Sequence, residues 1–240
     1  MRSDGRNFDQ MREIRIVTDF ILYPEGSVLV EFGNTKVICN VSFSEGVPPF
    51  LKGTKSGWIT AEYQMLPRLT HQRNQRESIK GKLSGRTQEI SRLIGRSIRA
   101  AVDLTKIGEM TCIIDCDVIQ ADGGTRTASI SGAYIALCLA VKKLLNEGFL
   151  AENPIVNQVA AISVGLVDNN IMLDLNYEED SHAQTDLNIV GTSDGKIIEI
   201  QGTAEQEPFD SDTLNEMLKI GLRGIKNISE IQNRVLERID

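Results

Sequence analysis

Hydrophobic and polar residues alternate along the first part of the chain with the period of two that is typical of β-strands. Residues 28–32 and 36–43 alternate in this way on either side of a Gly-Asn-Thr turn, which predicts a β-hairpin. Residues 58–66 and 111–119 have the pattern of two more strands. This part of the chain is therefore predicted to form a hairpin-rich sheet.

Two segments of the same region have apolar residues at helical spacing. In residues 87–102 the apolar positions recur every three or four residues, which predicts an amphipathic helix. Residues 128–146 form a second predicted helix, with Leu137 and Val141 on its apolar stripe. Residues 67–85 are polar, basic and contain glycine, so we expect a long exposed loop there.

A break at Gly148 and the Asn153-Pro154 pair precedes a second region with the same order of elements, strands first and helices afterwards. The predicted strands are residues 159–167, 171–177, 185–190 and 196–201, and the predicted helices are residues 212–226 and 230–239. The expected fold class is α+β, with two lobes of mixed β-sheet backed by helices. We expect the first lobe to comprise residues 1–150 and the second to comprise residues 151–240.

Composition limits the environment in which the protein is expected to act. Hydrophobic residues make up 41% of the 240 residues and charged residues 25%, as in ordinary globular proteins. The amino-terminal segment is polar, and the most apolar run is far shorter than the roughly 18 residues that span a bilayer. These features predict a cytoplasmic protein without membrane contact. The four cysteines are expected to be buried free thiols, because they lack the spacing of a zinc site.

Charge is distributed unevenly, although the formal net charge is only −7. Between Arg68 and Arg99 there are nine lysine or arginine residues and two acids, so this segment carries +7 and the remainder carries −14. Such a local cationic patch can bind a polyanion, with Arg68, Arg73 and Arg76 contacting the phosphates of a nucleic acid. A solvated basic face, balanced by acidic neighbours, is the alternative interpretation.

A glycine-rich turn stands where a predicted strand is followed by a predicted helix, in the sequence DGGTRTASISG. Glycines allow backbone N–H groups to face a ligand, and the first N–H groups of a helix lack intrahelical partners. With a hydroxyl and a guanidinium added, Gly124, Thr125 and Arg126 have the donors of a site for a tetrahedral oxyanion, which Arg86 could also approach. The alternative is a tight turn in which Thr125 caps the helix and Arg126 lies in solvent.

Two aspartates flank the connection between two predicted strands in the sequence DSHAQTD. We expect Asp180 to end one strand and Asp186 to begin the next, so that an antiparallel pairing brings their carboxylates together. Such a pair can bind Mg²⁺, which keeps waters and substrate phosphate as further ligands, or one member can stay protonated as a general acid. A solvated hairpin end is the alternative, and His182 is expected to be exposed.

Six segments, in a fixed order, resemble the ribonuclease PH family and extend over nearly the whole chain, from Arg2 to about Leu222. They are SDGRNFDQMR, MLPRLTHQRNQRE, GRTQEISRLIGRSIRA, DCDVIQADGGTRTASISGAYIAL, DLNYEEDSHAQTDLNIV and EIQGTAEQEPF. The resemblance implies a ribosomal protein S5 domain 2-like fold, shared with polynucleotide phosphorylase and exosome ring subunits. It also implies a homohexameric ring, a trimer of dimers, that trims the 3′ end of precursor tRNA. Inorganic phosphate would be the nucleophile, Mg²⁺ would be required, and nucleoside diphosphates would be released by this phosphorolytic 3′→5′ exoribonuclease.

The same resemblance implies roles for individual residues. Phosphate would be held by Arg86, Gly124, Thr125 and Arg126. Asp180 and Asp186 would be the catalytic carboxylates, which bind the metal or protonate the departing 3′ oxygen, and Arg68, Arg73 and Arg76 would bind tRNA. Two other functions stay open: a noncatalytic ring subunit that binds RNA for partner enzymes, and a Mg²⁺-dependent enzyme of small phosphorylated metabolites. The carboxylate pair and anion motif argue against the first, and the extended basic loop argues against the second.

Overall fold

Five strands of the first half form one mixed sheet in the computed structural model, which describes residues 2–205 and 207–238. The strands are β1 (Ile14–Thr18), β2 (Gly26–Phe32), β3 (Thr35–Glu45), β4 (Trp58–Met65) and β5 (Met110–Gln120), in the spatial order β1-β2-β3-β5-β4. β4 runs parallel to β5, and the other neighbours are antiparallel. The predicted hairpin is β2–β3, whereas β1 is a short strand that the sequence pattern did not reveal.

Four strands of the second half form a separate sheet with the order β7-β6-β8-β9. They are β6 (Val159–Val167), β7 (Asn170–Leu173), β8 (Thr185–Thr192) and β9 (Ile197–Ala204). All three pairings are antiparallel, so the expected mixed sheet occurs in the first half and not in the second. The α+β class is confirmed.

Helices cover the faces of both sheets. They are α1 (Glu77–Lys80), α2 (Gly85–Arg99), α3 (Thr125–Asn146), α4 (Tyr177–His182) and α5 (Ser211–Leu236), with short 3₁₀ turns at Pro49–Leu51 and Leu104–Lys106. α2 packs on β4, α5 packs on β6 and β8, and α3 contacts strands of both sheets. At Gly132 of α3 a Cβ would come within 2.6 Å of Val30 Cγ1, so glycine there allows the helix to lie close to β2.

The central helix α3 has the length and apolar composition of a membrane-spanning segment, but 78% of its most apolar stretch is buried inside the protein. The predicted stripe of apolar residues is therefore only one part of a helix that is covered on nearly all sides. α3 is the helix around which the hydrophobic core of both sheets is built. Of the four cysteines, Cys39, Cys112 and Cys116 are buried as expected, and Cys138 is partly exposed.

Two predictions for the second half, the extent of one strand and the division of the last helix, are wrong. Residues 171–177 were expected to form one strand, but β7 ends at Leu173 because Asp174 has a positive φ of 54°, which turns the chain out of the sheet. Residues 212–226 and 230–239 were expected to be two helices, but α5 is continuous to Leu236, and Ile239 lies outside the described residues. Ile228 and Ser229, which lie in the predicted gap, are buried and continue the helical spacing of the buried residues Ile225 and Gln232, so tertiary packing stabilises the helix through the gap.

Candidate active site

One cavity of about 750 Å³ is lined by all six residues that were predicted for phosphate and carboxylate chemistry. They are Arg86, Gly124, Thr125, Arg126, Asp180 and Asp186. Four different elements contribute them, namely α2, the start of α3, α4 and β8. Segments nearly 100 residues apart in the chain thus meet at one place, and that place combines cationic, hydroxyl and carboxylate groups.

The glycine-rich turn has a backbone that favours glycine. Gly123 and Gly124 both have positive φ, 75° and 65°, in the left-handed region. A Cβ at Gly123 would lie 2.5 Å from the carbonyl oxygen of Leu175 and 2.9 Å from the backbone nitrogen of Tyr177. The turn therefore packs directly against the segment that leads into α4. α3 begins at Thr125, three residues earlier than predicted, and no side chain caps its amino end.

The amino end of α3 has the features of an anion site. Its first N–H groups lack intrahelical partners, and the helix dipole makes this end partly positive. The hydroxyl of Thr125 shares a hydrogen bond of 2.9 Å with the hydroxyl of Tyr63, a buried residue of β4. Burial raises the pKa of Tyr63, so its hydroxyl stays protonated and can hold Thr125 in place. Tyr63 is a supporting residue that the sequence pattern did not identify.

Arg126 extends from the first turn of α3 into the cavity. Its Nη1 donates to Gln201 Oε1 on β9 at 3.2 Å and lies 3.8 Å from Glu89 Oε1 on α2. The side chain is mostly buried, so the alternative in which Arg126 lies in solvent is wrong. Arg86 lies on the first turn of α2 and is more exposed. Both guanidinium groups lower the pKa of Asp180, because their positive charges favour its ionised form.

The two aspartates meet in the cavity, but not in the way that was predicted. Asp180 lies in the short helix α4 rather than at a strand end, and Asp186 is the second residue of β8. An Asn176 capping box starts α4: Asn176 Oδ1 accepts from the backbone nitrogen of Glu179, and Glu179 Oε2 accepts from the backbone nitrogen of Asn176. The capped helix then carries Asp180 toward the glycine-rich turn.

Electrostatics couples the two carboxylates to each other. Desolvation by the cavity raises the pKa of Asp180, and Arg126, Arg86 and Arg12 oppose this shift. Desolvation also raises the pKa of Asp186, and the negative charge of Asp180 raises it further. The ion pairs found within residues 2–205 and 207–238 include neither aspartate. The negative charge of Asp180 is therefore only partly offset by Arg126, Arg86 and Arg12, none of which forms an ion pair with it in the described part of the chain.

Buried arginines from the amino-terminal segment hold α4 in place. Arg2 donates through Nε and Nη2 to both carboxylate oxygens of Glu179, at 2.7 and 2.6 Å, and through Nη1 to the carbonyl oxygen of Leu173 at 2.8 Å. Arg6 donates to the carbonyl oxygen of Asp174 at 3.0 Å. Since Glu179 is adjacent to Asp180, these contacts fix the helix that carries the aspartate.

Arg12 joins the same segment to the glycine-rich turn. Its Nε and Nη2 donate to the two carboxylate oxygens of Asp174, at 3.0 and 2.6 Å, and its Nη1 donates to the carbonyl oxygen of Asp122. Asp122 Oδ1 in turn accepts from the backbone nitrogen of Tyr177, the first residue of α4, at 3.2 Å. Periodicity gave no signal for these arginines; only the motif SDGRNFDQMR pointed to this segment. We refer to Arg2, Arg6, Arg12, Asp174 and Glu179 as the arginine clamp.

The three arginines of the predicted RNA-binding loop lie outside the main cavity. Arg68, Arg73 and Arg76 are exposed and line a separate cavity of about 310 Å³. Arg68 also lines a groove of about 700 Å³ that adjoins the main cavity, because Thr70, Ala121 and Tyr177 line both. The basic loop is thus connected to the carboxylate pair through this groove. His182 is exposed, as expected, and its Nδ1 lies 2.7 Å from the carbonyl oxygen of Glu178.

Solved structures share this fold. An archaeal exosome core aligns with a TM-score of 0.75 and 25% identity, over 97% of this chain and 91% of that one. An Archaeoglobus fulgidus exosome with RNA bound to the active site aligns with a TM-score of 0.82 and 24% identity, over 95% and 91%. Rice (Oryza sativa) Rrp46 aligns with a TM-score of 0.79 and 19% identity, over 98% and 100%. The fold is therefore that of exosome subunits.

Family models give the class of protein. Residues 10–143 match domain 1 of the 3′ exoribonuclease family and residues 157–224 match domain 2, so the chain belongs to this family. Within it, this chain is similar over nearly its whole length to ribonuclease PH proteins of Bacillus species. Ribonuclease PH of Bacillus subtilis (strain 168) is 56% identical over 237 residues, 98% of this chain and 97% of the relative. That of Bacillus pumilus (strain SAFR-032) is 56% identical over 236 residues, 98% of each chain. The resemblance seen in the sequence motifs is confirmed.

Proposed function

We propose that this chain is a phosphorolytic 3′→5′ exoribonuclease that trims the 3′ end of precursor tRNA in the cytoplasm. Inorganic phosphate is the nucleophile and nucleoside diphosphates are the products. The observation that carries the proposal is the common cavity, in which the amino end of α3, two arginines and two coupled aspartates face one another. Membership of the ribonuclease PH family supports the same reaction.

The proposed reaction exchanges one bond at phosphorus for another. Orthophosphate, bound by Thr125, Arg126, Arg86 and the N–H groups at the start of α3, is the attacking group. A bond forms from its oxygen to the phosphorus of the last phosphodiester while the bond from that phosphorus to the 3′ oxygen of the preceding nucleotide breaks. A proton goes to the departing 3′ oxygen, and one of the two aspartates can supply it, because both have raised pKa values. The terminal nucleotide leaves as a nucleoside diphosphate.

Cationic side chains lower the barrier to bringing two anions together. Phosphate and the RNA 3′ end repel each other, and the guanidinium groups of Arg86 and Arg126 neutralise part of this charge on the nonbridging oxygens. Positioning contributes as well, since a bound nucleophile held in line with the breaking bond makes the step effectively intramolecular. Thr125, held by Tyr63, and Arg126, held by Gln201, have the fixed orientation that this effect requires.

Asp180 and Asp186 are the residues proposed to hold Mg²⁺. Two carboxylates that line one cavity, with the charge of Asp180 raising the pKa of Asp186, are favourable ligands for a divalent cation. With two protein carboxylates as ligands, Mg²⁺ would keep several waters and substrate oxygens in its coordination shell. When bound, Mg²⁺ would supply further charge neutralisation at the reacting phosphate groups.

Arg68, Arg73 and Arg76 are proposed to bind tRNA, and the chain is proposed to form a homohexameric ring, a trimer of dimers. Family membership supports the ring, and so does an exposed apolar loop before β2, where Leu22 and Tyr23 are 83% and 86% exposed. Exposed apolar residues that are adjacent in this way are typical of subunit contacts. The mass of the native assembly in solution tests the ring directly.

Product identity tests the proposed reaction. The protein is incubated with Mg²⁺, ³²P-labelled orthophosphate and a tRNA that has extra 3′ nucleotides, and the nucleotides are separated by chromatography. Phosphorolysis places the label in the nucleoside diphosphates, and trimming stops when phosphate is omitted. Release of unlabelled monophosphates at an unchanged rate without phosphate would overturn the proposal. RNA binding with no turnover at all would support the noncatalytic ring subunit.

Matched variants of α2 connect this reaction to the cavity. Arg86→Gln removes a guanidinium that lines the cavity, so the KM for phosphate is expected to rise by roughly tenfold or more, the loss of one charge-assisted contact. Arg92→Gln is the control, because Arg92 is exposed on the same helix and does not line the cavity. Equal effects of the two substitutions would contradict the assignment of Arg86.

A further inference from the structure

The aromatic ring of Tyr177 has a position that the reaction described above does not use. Tyr177 is the first residue of α4, three positions before Asp180, and its side chain is 60% exposed. It lines both the main cavity and the adjoining groove of about 700 Å³. A large aromatic side chain thus stands at the junction between the site of chemistry and the path that leads out of it.

The backbone of Tyr177 is fixed although its ring is exposed. The backbone nitrogen donates to Asp122 Oδ1 at 3.2 Å, and the adjacent Asn176 caps α4. Glu179, two residues further on, is held by the arginine clamp. Because the backbone is already fixed and a tyrosine side chain has few rotatable bonds, little conformational entropy beyond that of the ring itself is lost when a flat partner stacks on it.

The groove beside this ring has the chemistry of a single-stranded nucleic acid path. Arg68 supplies a positive charge, and His71, Gln72, Asn74 and Gln120 supply polar side chains along it. Within the described residues that line the groove, Asp122 is the single acid, and its carboxylate oxygens already accept hydrogen bonds from Tyr177 and Asn34. A polyanion therefore meets little repulsion there. Single-stranded nucleic acid sites combine such a groove with aromatic rings on which bases stack.

We propose that Tyr177 is a stacking platform for one base near the 3′ end of the RNA, and that the groove binds the nucleotides that precede it. This inference rests on the proposed function, since it assumes that the scissile linkage lies at Asp180 and Asp186. Stacking accepts any base because every base has a π-face, which suits an enzyme that removes nucleotides one after another. Tyr177 is a binding residue and does not take part in proton transfer.

Binding without turnover separates this inference from the reaction. Fluorescence anisotropy of a labelled single-stranded oligonucleotide, measured without phosphate, reports the Kd of the RNA alone. We expect Tyr177→Leu to raise the Kd by about tenfold, the loss of one base–aromatic contact, and Tyr177→Phe to leave it within about twofold. Leucine preserves an apolar side chain of similar reach, so the comparison isolates the aromatic face. Thermal unfolding of each variant shows whether the fold is retained.

Abasic nucleotides identify the partner of the ring. A single abasic position is moved through the last six or so nucleotides of the oligonucleotide, and the Kd is measured for the wild type and for Tyr177→Leu. At one position the abasic RNA should bind the two proteins equally, because the base and the ring are lost together. A Tyr177→Leu effect that persists at every abasic position would overturn the inference, and so would an unchanged Kd for intact RNA. If phosphate dependence failed while this pattern held, the proposed reaction would fall and the binding platform would remain.

Discussion

At the scale of single residues, the site depends on two carboxylates, one of which, Asp180, raises the pKa of the other, Asp186. Because the charge of Asp180 raises the pKa of Asp186, Asp180→Asn should lower the pKa of Asp186 toward its ordinary value. Arg126→Gln should have the opposite effect on both aspartates, since Arg126 lowers the pKa of each. Carboxyl ¹³C chemical shifts, followed by NMR during a pH titration without metal, measure both changes. No shift of the Asp186 titration in Asp180→Asn would contradict the coupling.

The raised pKa values of the two aspartates also determine whether stability rises or falls with pH. The ordinary pKa of an aspartate is 3.8. A carboxyl group whose pKa is raised in the folded state is protonated more often there than in the unfolded chain, at pH values between 3.8 and the raised pKa. The free energy of unfolding then falls as the pH rises through the raised pKa values, so the ionised pair destabilises the fold near neutral pH. This cost is the reason why a site of this kind is better explained by its chemistry than by its contribution to folding.

At the scale of secondary structure elements, the arginine clamp makes the amino-terminal segment part of the site. Arg12→Met leaves the buried carboxylate of Asp174 without its bidentate partner and should lower the free energy of unfolding by about 3–5 kcal/mol. Arg223→Met is the control, because Arg223 pairs with Asp9 at 3.5 Å and both side chains are 57% exposed. An exposed pair of this kind contributes about 0–1 kcal/mol. Urea unfolding measures both values, and equal losses would show that burial does not decide the strength of these pairs.

Elements with regular periodicity were predictable from the sequence, whereas those that rely on distant partners were not. β6 was predicted with the bounds it has, and α2 and α3 were predicted to within three residues at each end. In these elements the spacing of apolar residues in the sequence matches the pattern of buried residues in the structure. α4 was missed because its six residues are stabilised by a capping box and by arginines from the other end of the chain. The acidic sequence YEED therefore resembled a strand end followed by a turn. Asp180 was chosen because it was expected to end a strand, and although that element is wrong, the family motif pointed to the same residue.

At the scale of the whole molecule, α3 connects the two halves. Its body contacts both sheets and its amino end supplies the glycine-rich turn, so the cavity lies where elements of both halves meet. One continuous hydrophobic core includes residues of both sheets, and the division into lobes at residues 150 and 151 stays a prediction. α2 and α3 belong to the first half, whereas α4 and β8 belong to the second. Neither half alone therefore contains all six of the cavity residues that were predicted for phosphate and carboxylate chemistry.

Charge is the other property of the whole molecule, and it predicts how RNA binding depends on salt. The chain is acidic overall, at −7, so RNA must be held by local cationic patches against a repelling background. Replacing Arg68, Arg73 and Arg76 by glutamine should weaken RNA binding and lower the slope of log Kd against log salt by about 2–3, since each phosphate contact contributes about 0.7–0.9. The KM for phosphate should stay nearly unchanged, because none of the three lines the main cavity. Replacing the exposed Lys52, Lys55 and Lys219 changes the net charge equally and is the control. If this control lowered the slope as much, net charge rather than the basic loop would determine RNA binding.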